Sequence, residues 1–125
     1  MRYNQTIRVQ SLINQQVIAD KCYVAERFFA RLRGLIGTRD FVPGEGMLFP
    51  RCNNIHMWFM SIPIDVVFLK RGDQGQTLSV TSAHAGVRPW RVLPLFDVRA
   101  SDTLELPAGT IKRCNIHAGD QICLS

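Results

Sequence analysis

The segment 62-IPIDVVFLK-70 decides how this chain is read. Side chains of an extended strand alternate between two faces, so Ile64, Val66 and Phe68 share one face and Asp65, Val67 and Leu69 the other. Apart from Asp65 both faces are apolar, the mark of a strand covered on both sides. Pro63 fits at the entry, where its missing amide costs no ladder bond. Asp65 is then a carboxylate near the core, and burying it unpaired would be costly. An arginine, with Arg31 or Arg33 first, or a row of backbone amides would serve as its partner.

The residues just upstream, 52-CNNIHMWFMS-61, surround one histidine with aromatics and methionines. Ile55 to Met60 reads as a strand, forming a hairpin with Ile64 to Lys70 across Ser61-Ile62-Pro63. In neither of two plausible registers does His56 reach Asp65; where they share a face they stand roughly 13 Å apart, at about 3.3 Å per residue. A direct dyad would require that these strands not be neighbours. His56 is read as a partly buried histidine, and Trp58 with its flanking methionines as packing.

Working outward, Thr6 to Ile13 and Gln16 to Val24 are two extended segments around Asn14-Gln15, a hairpin by composition. Ala25, Phe28, Phe29, Leu32, Leu35 and Ile36 then recur at helical spacing, with Gly34 and Gly37 placed to stop the helix. Pro43-Gly44-Glu45-Gly46 is a turn, followed by a short buried strand, Met47-Leu48-Phe49. Further strands are expected at Thr77 to Ala83, Val98 to Leu106 and Gln121 to Leu124, the last after the turn Ala118-Gly119-Asp120. His84 to Pro94 reads as irregular, and His84 and His117 as surface residues. The whole predicts a mainly-β single domain over residues 1–125, a sandwich or barrel with one amphipathic helix (about 24–34) on one side.

No run of eighteen or more apolar residues is present, so no helix of the sequence spans a bilayer. The first residues lack the apolar stretch of a signal peptide, which leads to the expectation of a cytoplasmic protein. Fifteen basic against ten acidic side chains give a net charge of +5, and twelve of the fifteen are arginines. An excess of that size steers anionic partners. The basic residues are scattered without a clustered footprint, which argues against nucleic acid. The four cysteines are read as free thiols. Cys52 with His56, and Cys114 with His117, offer two sulfurs and two imidazoles, but the pairs are mixed and far apart, and no metal is expected. No G-x-S-x-G elbow, P-loop or dinucleotide fingerprint occurs.

Taken in order, 31-RLRGLIGTRD-40, 44-GEGMLF-49, 52-CNNIHMWFMSIPIDVVFL-69, 104-LELPAGTI-111 and 117-HAGDQI-122 resemble the domain-of-unknown-function 192 family of small prokaryotic proteins, over nearly the whole chain. The resemblance implies a mainly-β fold with one helix and adds a short second helix at about 108–115. It brings no established activity, substrate or cofactor, and so assigns no catalytic residue. Among the positions that match its motifs, Arg33, His56, Asp65 and Glu105 are the polar ones without a direct packing explanation. Three readings follow. The first is a module binding a small anionic ligand or a peptide segment, with Arg33, His56, Trp58, Met60, Asp65 and Trp90 as candidate contacts. The second is an enzyme using Asp65 or Glu105 as general base with His56 or an arginine as charge stabiliser. The third is a protein that docks a partner through a strand edge or the Trp90 loop. Binding or docking is ranked above catalysis, because no activated nucleophile is visible.

Overall fold

Thr6–Ser11 (β1) and Val17–Val24 (β2) form the expected hairpin, in a computed structural model that describes residues 6–25, 41–55, 62–73, 76–89 and 94–125. Its turn is built by side-chain chemistry: the Asn14 carboxamide oxygen accepts the Gln16 amide at 3.0 Å, and Gln15 takes a positive φ of 59°. Glu45–Phe49 forms β3, Asn54–Ile55 β4, Ile64–Arg71 β5, Thr77–Val87 β6, Leu95–Phe96 β7 and Asp102–Pro107 β8. A five-residue helix, α1 (Thr110–Cys114), precedes β9 (Gln121–Leu124). It lies within the second helix that the family resemblance implied. The amphipathic helix expected at about 24–34 lies outside the described residues except at its start, where Val24 ends β2 and Ala25 is buried outside any helix.

Seven strands close into a barrel in the order β1-β2-β3-β8-β5-β6-β9, so the fold is mainly β, and of the two architectures foreseen it is the barrel. Every pairing in the ring is antiparallel except β2 with β3. That one parallel contact needs a crossover, which the chain between Val24 and Glu45 provides.

The opening segment behaves as its pattern requires. Val67 and Leu69 enter the interior cluster with Val9, Ile18, Leu48, Leu104 and Ile122, while Ile64, Val66 and Phe68 join an outer cluster with Met47, Phe49 and Leu95. β5 is therefore apolar on both faces because each face meets its own core. Each such side chain contributes about 1.5–3 kcal/mol by burial. The interior is filled: a Cβ on Gly46 would come within 3.3 Å of both Ala19 Cβ and Leu106 Cδ2.

Three local expectations are corrected. β5 carries β6 on one edge and β8 on the other, so it has no edge left for the strand before it; Ile55 instead pairs with Leu95 in a separate two-stranded ribbon. Thus the geometric ground for separating His56 from Asp65 does not hold, and His56 itself lies outside the described residues. Next, β6 does not stop at Ala83 but runs to Val87, so His84 sits on a strand and not in a loop. Two bulges let it continue past Thr81 and past Gly86. Finally, Val98 and Arg99 form a turn, and the strand expected from Val98 begins only at Asp102.

Candidate functional site

Asp65 is fully buried, and its partners are backbone amides. Oδ1 accepts the Gly86 amide at 2.8 Å; Oδ2 accepts those of Gly109 at 3.1 Å and Ile111 at 2.9 Å. Gly86, at φ 62°, lies in the β6 bulge opposite Asp65, and the backward-turned amide of that bulge is what reaches the carboxylate. Gly109 and Ile111 open α1, whose N-cap position is Gly109 and makes no side-chain cap of its own. Asp65 thus caps α1 from 44 residues away, satisfying first-turn donors that the helix cannot satisfy itself. Of the two kinds of partner foreseen, the row of amides is the one present; Arg31 and Arg33 lie outside the described residues. A carboxylate with both oxygens engaged in a closed interior is a structural anchor, poorly suited to take a proton from a substrate.

Glu105 is equally buried but faces the other way. Its neighbours on β8, Leu104 and Leu106, belong to the interior cluster, so Glu105 points to the outer one. Met47, Glu105, Val66 and His84 stand in one row across β3, β8, β5 and β6. The next row is Phe49, Thr103, Phe68 and Ser82. Asp65 and Glu105 therefore do not converge, whereas Glu105 and His84 flank Val66 on one face, with backbones about 10 Å apart at two strand spacings. Of the remaining candidates, Arg33, His56, Trp58, Met60 and Trp90 lie outside the described residues.

Sequence reasoning passed over a polar cluster at the edge of this face. The bulge at Thr81 turns two successive hydroxyls the same way, and both Thr81 Oγ1 and Ser82 Oγ donate to Asp97 Oδ2 at 2.7 Å. The Arg99 guanidinium meets both Asp97 oxygens at 3.1 Å, and its amide donates to Oδ1 at 3.0 Å. Burial would push the Asp97 carboxyl up, but the bonds from Arg99, Ser82 and Thr81 outweigh it and hold it well below the usual carboxylate range. His84 Nε2 lies 3.0 Å from Ser82 Oγ, and its ring stands edge-on to Phe68 with centroids 5.6 Å apart. No glycine or turn residue marks the Thr81 bulge that builds this cluster, so the sequence carried no signal for it; Gly86 marks only the second bulge, the one that serves Asp65.

The barrel end away from α1 opens into a recess of about 330 Å³, lined by Ile7, Val24, Leu48, Pro50, Arg71, Gln76, Leu124 and Ser125. Its floor is aliphatic and its rim polar. At the rim, Arg71 Nη2 donates to Asp102 Oδ2, with the guanidinium side chain 38% exposed and the carboxylate 1%. Ser101 Oγ donates to the other Asp102 oxygen at 2.7 Å. The buried acid so fixes a cation at the lip. A second groove of about 350 Å³, with Val17, Ile18, Asp20, Pro43, Gly44 and Arg113, lies beside α1 and is more polar.

Among the described residues, those weighed as metal ligands, Cys52, Cys114 and His117, are not brought together, and His56 lies outside the described residues. Cys114 belongs to the interior cluster near α1, while Cys52 packs against the outer cluster beyond the far end of β3. His117 is exposed in the turn before β9. Among the cysteines burial pushes the Cys22 thiol up to about 12, a hydrogen bond from the Leu48 backbone opposing it only in part, so it stays protonated.

The fold has solved counterparts. It is similar to a provisionally named transcription regulator from Sinorhizobium meliloti 1021, with a TM-score of 0.74, 23% identity, and coverage of 94% of this chain and 91% of that one. It is also similar to a protein of unknown function from Novosphingobium aromaticivorans, with a TM-score of 0.71, 23% identity, and coverage of 93% and 81%. At that identity the likeness speaks for the fold alone. No curated protein matches. A family model described as Uncharacterized ACR (DUF192) matches residues 9–124.

Proposed function

The chain belongs to the domain-of-unknown-function 192 family, and we propose that it is a small-molecule-binding module whose ligand sits in the mouth of the barrel. The recess bounded by Ile7, Val24, Leu48 and Leu124, with Arg71 and Gln76 at its lip, carries this reading. Small-molecule sites pair a mostly apolar concavity of about 300–1,000 Å³ with a few placed polar groups, and barrel mouths are among their usual positions. The interior behind it is packed, so a ligand has to rest in the mouth and not within the barrel. The chemistry fits a compact, mostly apolar molecule with one anionic end: the body lies on the aliphatic floor and a carboxylate meets the Arg71 guanidinium. The net charge of +5 favours the encounter with such an anion. A catalytic role for Asp65 loses its support, because that carboxylate is spent on three amides.

The reading is tested by thermal shift against a panel of small aryl and alkyl carboxylates, each paired with its amide. A carboxylate at a hundredfold excess over its dissociation constant should add about 2.7 kcal/mol of stability, its amide markedly less. Val24→Trp, which fills the recess, should abolish the shift. The absence of any stabilising carboxylate, or a shift indifferent to Val24→Trp, would overturn the assignment.

A further inference from the structure

The geometry points to a second ligand site, in the groove beside α1, that takes a small zwitterion carrying a primary ammonium and a carboxylate. It is independent of the mouth recess and rests on two opposite charges that line one groove without meeting. Asp20 comes from β2, Pro43 and Gly44 from the turn before β3, and Arg113 from the last turn of α1, around a volume of about 350 Å³. Both charged side chains are exposed, and among the described residues neither makes a hydrogen bond or an ion pair.

Each charge is carried on backbone that is tied to the barrel. In the β1–β2 ladder Ile7 pairs with Cys22 and Val9 with Ala19, so Arg8 alone opposes Asp20 and Lys21. That bulge turns two successive side chains out to solvent. The Asp20 carboxylate lies over Gly44, at φ 93°, where an added Cβ would come within 3.0 Å of Oδ1. Only glycine both takes that φ and leaves that space. The turn is closed by the Glu45 amide on the Val42 carbonyl and by the Val42 amide on Glu45 Oε1, each at 3.1 Å. The Gly44 carbonyl in turn accepts the Lys21 amide at 3.0 Å. On the α1 side, Asp65 fixes the start of the helix and the Arg113 carbonyl accepts the Gln16 carboxamide at 3.5 Å. Such a groove sorts ligands by charge. An anion alone gains Arg113 but meets Asp20, and a cation alone gains Asp20 but meets Arg113. A molecule with both ends satisfies both, its ammonium donating to the carboxylate and its carboxylate taking the guanidinium fork. Val17 and Pro43 supply apolar surface for the carbons between. The volume lies at the small end of ligand pockets, in keeping with a molecule of a few carbons.

The experiment is a titration of the whole ¹⁵N-labelled protein, followed by amide NMR, with glycine, β-alanine and γ-aminobutyrate, which set the two charges progressively further apart. At least one should bind, shifting the Ile18 and Gly44 amides while leaving those of Leu48 and Leu124 in the mouth unmoved. Its N-acetyl derivative and its amide, each lacking one charge, should bind about tenfold more weakly. Asp20→Asn and Arg113→Gln should each weaken the parent ligand by about the same factor, with thermal unfolding unchanged because both side chains are exposed. No saturable shift with any of the three, or shifts confined to the mouth, would sink the proposal. An N-acetyl derivative that binds as tightly as its parent, or an affinity untouched by Asp20→Asn, would do the same by leaving Arg113 a mere anion contact.

Discussion

The two ends of the barrel are finished in opposite ways. At one end Asp65 gathers amides from the β6 bulge and from α1, and no solvent reaches it. At the other end Asp102 is just as buried, yet its partner Arg71 reaches out to the lip of an open recess. Both ends bury a carboxylate; what differs is the donor. Backbone amides hold a carboxylate in place and have nothing further to present, whereas a guanidinium satisfies the acid with one edge and carries charge to the surface. A buried acid in a small barrel is therefore to be judged by what it holds before it is taken for a catalyst.

That contrast can be broken experimentally, and the closed end should yield the largest effect. Asp65→Ala removes the buried acceptor of three partly buried amides, at about 1–3 kcal/mol each, so a loss of about 4 kcal/mol is expected in urea unfolding. A loss near zero would mean that α1 caps itself. Gly46→Val, placed between Ala19, Cys22 and Leu106, should cost about 1–3 kcal/mol by overpacking, read in the same way. On the barrel wall, Asp97→Asn should cost about 1–2 kcal/mol at neutral pH, with Arg99 largely exposed and screened. Because the folded Asp97 carboxyl lies below its unfolded value, its contribution is complete above the ordinary carboxylate range and is lost as pH falls through the folded value. The gap between wild type and Asp97→Asn should accordingly stay constant down to about pH 5 and shrink below about pH 4. The open end should be the most tolerant: Val24→Trp should change stability by no more than about 0.5 kcal/mol, since it occupies space that is already there.

How much could be read beforehand follows from where each constraint originates. The β1–β2 hairpin, β3, β5 and β9 were legible, because alternation and turn residues act within a few positions. The two-sided burial of β5 was legible from Ile64 to Leu69 alone. Helix α1 was not, since its cap, Asp65, comes from another strand and its own N-cap is a glycine; only the family resemblance pointed there. The partner of Ile55 was misread because local order favours a hairpin, while β5 has both edges filled by β6 and β8. His84 was misplaced because the bulges that carry β6 through Gly86 look like a loop in sequence. For the candidate site, Glu105 was named and lies on the outer face, but Ser82 and Asp97 were passed over, because no spacing announces a contact made across a bulge.

The seam where β1 meets β9 sets the order in which this protein can assemble. Arg8 and Ser125 exchange both of their backbone hydrogen bonds, joining segments from nearly opposite ends of the sequence. Bringing them together costs the loop-closure entropy of almost the whole chain, so the ring should zip shut late and slowly, after the β5–β6 and β1–β2 pairs have formed. Until then β1 and β6 each show a bare edge to their neighbours in solution. Refolding yield should thus fall with protein concentration well before native stability does.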